Sequence, residues 1–130
     1  MTDWSDLDIW WRRELAEDPS YAAEVRPLFD ELLAVDAGET ILDLGTGTGW
    51  VLEDLRRRGC EAIGVEINRE LARLSSRHGS TVAAELPDLS WCRVEAVDGV
   101  TAVLVLEHLT ELDPLFVEAA RVTRSNGSFT

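Results

Sequence analysis

Apolar residues along the chain first recur at helical spacing and later fall into short extended runs. Trp4, Leu7, Trp10 or Trp11 and Leu15 mark one helical face. A second pattern, Val25, Leu28, Phe29, Leu32 and Leu33, follows the break at Asp18-Pro19-Ser20. Pro27 is expected to kink or restart this second helix, and Asp36-Ala37-Gly38 to stop it. From residue 40 the rhythm alternates. The stretch "TILDL" (40–44) reads as a strand, and Val51, Leu52 and Leu55 as one face of a helix ending near Gly59. "AIGVE" (62–66) is the next strand, and Ile67, Leu71, Leu74 and His78 form a helical stripe. "STVAA" (80–84) is a weak strand, and 85–97 a loop. "GVTAVLVL" (99–106) is apolar nearly throughout, as a strand buried on both faces is. Asp113-Pro114 predicts a helix start with the aspartate as N-cap, and Leu112, Leu115, Phe116 and Ala119 as its buried face.

Strands alternating with helices predict an α/β fold, a mostly parallel sheet with helices over it. At 130 residues the expectation is a single domain, with cover helices in 1–37 and a ligand-binding core in 38–130. The chain stops at "NGSFT", where a further strand is expected to begin, so the usual C-terminal strands are expected to be missing. "GVTAVLVL" would then lie near an open edge. Such an edge invites pairing, as a homodimer or with something supplied in trans, unless the chain is a piece of a longer protein.

Composition narrows the chemistry. The formal charge of −13 disfavours nucleic acid as a partner, and no apolar run approaches the length of a membrane span. The acidic start "MTDWSDLDIWW" lacks the form of a secretory signal, so a cytoplasmic location is expected. All 12 basic residues are arginine, which removes Schiff-base chemistry and a P-loop lysine. Arg56-Arg57-Arg58 fits a helix C-terminus opposing the dipole. Cys60 and Cys92 are isolated, and His78 and His108 lie too far apart for a zinc signature, so no metal site is expected.

The informative stretch is "ILDLGTGTGWVLEDL", a strand running through Gly45-Thr46-Gly47-Thr48-Gly49 into a helix. Glycines there permit positive φ and close approach of a ligand, and the helix start offers unpaired amides. Glu66, 21 residues after Gly45, falls at the end of the next strand, where a carboxylate can accept both ribose hydroxyls. Loop and acid together point to an adenosine cofactor. A nicotinamide dinucleotide is disfavoured, because the third glycine of G-x-G-x-x-G would fall on Trp50 or Leu52.

The spacing Asp43-x-Gly45-x-Gly47-x-Gly49 resembles the first motif of class I S-adenosylmethionine-dependent methyltransferases. The resemblance extends over about residues 21–130. "VEINRE" resembles the second motif. "ELPDLS" resembles the third-strand exit, with Glu85 for the usual aspartate and Ser90 for the proline. "VDGVTAVLVLEHL" resembles the fourth strand. "EAARVTRSNGSF" resembles the helix and turn leading into the fifth, with Asn126 where glycine is commoner. The resemblance implies a Rossmann-like three-layer α/β/α fold and S-adenosyl-L-methionine as cofactor. It implies that Asp43 and the backbone of Gly45 and Gly47 hold the methionine ammonium and carboxylate, with Gly49, the last glycine of the motif, also cofactor-binding. Glu66 would hold the ribose, Ile67 would pack on the adenine, Glu85 and the Leu86 amide would meet its edge, and Leu106 would line the pocket near the sulfonium. Tyr21 and Arg12 are weaker candidates for closing over the methionine end, and for Tyr21 a structural role comes first.

The cofactor carries the activation, so the protein has to orient the reactants and supply a base only for some acceptors. His108, directly after the fourth strand, is the candidate base, against the plainer role of a capping or packing residue. Asp98 reads as the polar start of the fourth strand. The leading expectation is a methyltransferase of a small-molecule acceptor. The alternative is a non-catalytic relic or interaction module, which would use the uncovered edge or the tryptophan-rich N-terminal part.

Overall fold

The computed structural model describes residues 24–103, 105–106 and 109–130. The backbone divides into two compact units, 1–34 and 35–130. The first contributes one described helix, α1 (Arg26–Leu32), in which Pro27 occupies the first turn. Proline lacks the amide that the first turn leaves unpaired, so Pro27 restarts the helix here and does not break it.

The second unit is built on five strands: β1 (Thr40–Leu44), β2 (Glu61–Val65), β3 (Ser80–Val82), β4 (Val97–Ala102) and β5 (Thr123–Phe129). They form one sheet in the order β3-β2-β1-β4-β5, and every pairing is parallel. Three helices connect them: α2 (Trp50–Arg57), α3 (Arg69–Ser75) and α4 (Asp113–Val122). Because side chains alternate along a strand, β1 feeds both faces. Leu42 and Leu44 join Val65, Val100 and the α4 residues Leu115, Ala119 and Val122 in one apolar cluster. On the other face Leu52 of α2 lies against Gly64, where an added Cβ would approach it to 3.0 Å. Helices on both faces make the three layers of a Rossmann-like fold. Leu42, Leu44, Leu52, Leu55 and Leu115 are fully buried, each contributing about 2 kcal/mol of apolar transfer.

Three expectations are corrected. First, a fifth strand is formed: Val97 pairs with Thr123, Gly99 with Ser128 and Val100 with Phe129. The register shift between these pairs marks a bulge within β5, where Asn126 adopts φ 66°. Asparagine tolerates that left-handed conformation, which explains how it stands in for glycine. β4 is therefore an interior strand, and the edge strands of the sheet are β3 and β5. Second, β4 leaves the sheet at Ala102, so Val103, Val105 and Leu106 lie beyond it. Third, Asp113 is the first residue of α4 rather than its cap; Leu112 holds the cap position, without a side-chain hydrogen bond. Of the face expected to be buried, Leu112 and Phe116 are exposed; Phe116 stacks edge-on against Phe129, with ring centroids 5.6 Å apart.

At the amino edge of the sheet, Asp98 is the second residue of β4, close to the strand start expected for it. Its Oδ2 accepts the Thr40 amide at 2.7 Å and its Oδ1 accepts from Arg124, which also donates to Glu39 at 3.2 Å. One arginine thus ties the starts of β1, β4 and β5. Among the described residues no helix is long and apolar enough to cross a membrane.

Candidate active site

Parallel pairing puts the carboxyl ends of all the strands on one side. The strand order reverses at β1, whose neighbours are β2 and β4. A crevice opens where connections leave such a point in opposite directions. Asp43 is the penultimate residue of β1, and the glycine loop follows directly.

The three loop glycines all have positive φ, 64° at Gly45, 57° at Gly47 and 93° at Gly49, but they serve different ends. A Cβ on Gly45 would lie 2.4 Å from Val105 Cγ2, and one on Gly49 would lie 2.7 Å from Ser75 Cα. Those two glycines let the chain beyond β4 and the end of α3 close over the loop. Gly47 is different, since a Cβ there meets nothing within 4 Å. Its backbone faces open space, the form a cradle for a ligand takes. Gly49 also caps α2, a helix of 8 residues, and accepts the Glu53 amide at 3.1 Å.

Glu66 lies one residue past β2 and is nearly buried. Its Oε1 accepts the Gly47 amide and its Oε2 the Asn68 amide, both at 3.0 Å. The carboxylate one strand over therefore touches the glycine loop. Each carboxylate oxygen can accept a second hydrogen bond, so ribose hydroxyls still find acceptors there. Asn68 in turn caps α3, its Oδ1 accepting the amides of Glu70 and Leu71 at 3.0 Å.

Asp43 is 1% exposed, and its Oδ1 accepts from the Thr101 hydroxyl at 2.7 Å. Burial pushes this carboxyl up to about 7; the Thr101 and Thr46 hydroxyls work against the rise, and the Glu66 charge adds to it. Thr46 is itself held by its amide, which donates to Val65 at 2.9 Å, while its buried hydroxyl completes no hydrogen bond of good geometry. A buried acid with no cation beside it among the described residues, a backbone cradle facing open space and a second acid with spare lone pairs fit a cationic amino-acid end joined to a ribose.

The remaining candidates are arranged more loosely. Ile67 follows Glu66 and is 52% exposed, available to a flat ring. Glu85 is exposed, and its carbonyl accepts the Asp88 amide at 2.9 Å. Leu86 and Leu106 are half-buried and pack against the apolar cluster. In the chain, Ile67 follows the carboxyl end of β2, Glu85 and Leu86 that of β3, and Leu106 that of β4. His108, Arg12 and Tyr21 lie outside the described residues. Among the described residues no group of three or more His, Cys, Asp or Glu could hold a metal ion.

Sequence reasoning missed Thr101 and Val105. Thr101 carried a signal, being a hydroxyl inside an otherwise apolar strand. Val105 carried none, because only the folded chain lays it on Gly45. Also missed was Arg121, which donates to the Leu89 and Cys92 carbonyls at 2.8 and 2.9 Å and so braces the loop between β3 and β4.

A family model described as a methyltransferase domain matches residues 42–130. A ubiquinone biosynthesis O-methyltransferase of Hahella chejuensis is 29% identical over 126 residues, covering 88% of this chain and 52% of that protein. The protein of the same name from Xanthomonas oryzae is 26% identical, covering 91% and 53%. Among solved structures, a SAM-dependent methyltransferase from Archaeoglobus fulgidus superposes with a TM-score of 0.75 at 23% identity, covering 88% of this chain and 53% of that one. One from Aquifex aeolicus gives 0.73 at 18%, covering 95% and 69%. The chain spans about half the length of the curated relatives it matches. A family match across more than half of the chain, laid on a sheet whose crevice is lined in this way, settles its kinship: the chain belongs to the class I S-adenosylmethionine-dependent methyltransferase family.

Proposed function

We propose that this domain binds S-adenosyl-L-methionine across the β1 crevice and directs its methyl group to a small-molecule acceptor. The observation that carries the reading is the contact between Glu66 and the Gly47 amide, beside the buried Asp43. Asp43 would receive the methionyl ammonium, and the glycine-loop backbone from Gly45 to Gly49 the carboxylate. Glu66 would accept the ribose hydroxyls. Ile67 would cover one face of the adenine, with Glu85 and the Leu86 amide at its edge and Leu106 toward the sulfonium. When bound, the cofactor supplies an activated methyl group on a good leaving group. The residues around it then have to bind, orient and exclude water.

The names of the relatives support an oxygen acceptor. A hydroxyl acceptor needs a group to take its proton. His108, two residues beyond Leu106, is the candidate, since imidazole titrates near neutral pH. A His108→Ala variant is expected to keep cofactor affinity and lose turnover of a hydroxyl acceptor.

Titration calorimetry with S-adenosylhomocysteine tests the cofactor reading. One site per chain is expected, with NAD failing to compete. Folded protein that takes up no S-adenosylhomocysteine would defeat it. The alternative, an interaction module, draws on the exposed Val94, Phe116 and Phe129 around the edge strand β5. Light scattering separates the two, because a monomer at high concentration speaks against pairing through that edge.

A further inference from the structure

Thr101 has no part in the roles assigned so far, yet it makes the shortest link between β4 and the crevice. It is opposite Asp43 in the parallel register of β1 and β4. Both residues are 1% exposed, and the hydroxyl donates to Asp43 Oδ1 at 2.7 Å. The Thr46 hydroxyl also bears on this carboxyl, without completing a hydrogen bond of good geometry. The surroundings of Asp43 are otherwise poor in partners. From β2 its register neighbour is Gly64, which has no side chain, and from the loop comes the Thr46 hydroxyl. Glu66 is the charged group that bears on it, and its charge is of the same sign.

A buried carboxyl in such company faces two alternatives: it takes up a proton, or it is held as an anion by a donor until a cation arrives. We propose that Thr101 is a positioning residue for the cofactor: by donating to Asp43 Oδ1 it fixes the carboxyl's orientation toward the crevice and favours the anionic form that receives the methionyl ammonium. This rests on the cofactor reading above. Without the hydroxyl, the carboxyl keeps its proton to higher pH and is free to rotate. Binding of the ammonium then requires that the proton leave, and affinity falls about tenfold for each pH unit below the midpoint of the free protein.

The test follows two readouts between pH 5.5 and 8.5 in wild type, Thr101→Val and Thr101→Ser. One is the 13C shift of the Asp43 carboxyl in the ligand-free protein. The other is S-adenosylhomocysteine affinity by calorimetry. In Thr101→Val both midpoints are expected to move up together by about one pH unit, the worth of one hydrogen bond to a charged group, and Thr101→Ser is expected to restore them. If Thr101→Val does not fold by circular dichroism, Thr101→Ala, which also lacks the hydroxyl, takes its place. A folded variant whose carboxyl midpoint matches wild type overturns the proposal. So does a moved midpoint with an unchanged affinity profile. Wild type that binds S-adenosylhomocysteine at no pH overturns the cofactor reading and this proposal with it. Wild type that binds normally while the variants behave alike overturns the proposal alone.

Discussion

Replacing Gly47 by alanine separates the cost of a strained backbone from the cost of an obstructed crevice. Gly47 has φ 57°, and a Cβ there would meet no protein atom within 4 Å. Gly38, at the opposite end of β1, has φ 89° and equally open surroundings. Alanine at either position pays the left-handed penalty of about 1–2 kcal/mol, offset by roughly 0.5 kcal/mol from the stiffer unfolded chain. The net is about 1 kcal/mol in each variant, or a fall in melting temperature of about 4 °C. The two variants should therefore be about equally stable. They should differ in binding, because only at Gly47 does the new methyl enter the space assigned to the ligand. Overpacking of that kind costs about 1–3 kcal/mol, which is roughly a 5- to 150-fold loss of S-adenosylhomocysteine affinity. The assay is calorimetry alongside thermal unfolding on both proteins. Gly47→Ala binding like wild type, or Gly38→Ala losing as much affinity, would refute the assignment of the open face of the loop.

Three further outcomes are expected. Glu66→Ala removes an acceptor from the Gly47 and Asn68 amides, so it should both weaken S-adenosylhomocysteine binding at least tenfold and lower stability by about 1–2 kcal/mol; calorimetry and urea denaturation read the two effects. Asp43→Asn should change how stability depends on pH. The folded carboxyl titrates at about 7 against 3.8 for an unperturbed aspartate, so its favourable contribution is complete below pH 3.8 and is lost as pH rises through 7. That contribution is about 4 kcal/mol, and denaturation at pH 5 and pH 8 should show wild type losing most of it relative to Asp43→Asn across the interval. Glu95 holds φ 54° without being glycine, so Glu95→Gly should raise the melting temperature by about 2–4 °C in a thermal scan. An unchanged or lower melting temperature would show that the Glu95 side chain contributes more than its backbone costs.

Local pattern makes the first half of the sheet legible. β1 is readable to the residue, because branched apolar side chains end abruptly at a glycine loop. Asp43, Gly47 and Glu66 stand out because loop and acid lie at fixed offsets in the chain. What escapes such a reading depends on contacts between distant segments. β5 is mostly exposed and polar, and is a strand by virtue of pairing with β4 through a bulged register that no period-two pattern announces. The apolar run overshoots the end of β4 because Val105 and Leu106 stay apolar by packing after the backbone has left the sheet. Phe116 has the spacing of a core residue but meets the Phe129 ring near the surface. Thr101 is inconspicuous in a strand until the register sets it opposite Asp43.

Val105 resting on Gly45 has a mechanical consequence. The loop proposed to grip the cofactor and the segment at Val105 pack so closely that no side chain fits between them at Gly45. A ligand that displaced either segment would have to displace the other, so any coupling carried by this contact acts equally in both directions.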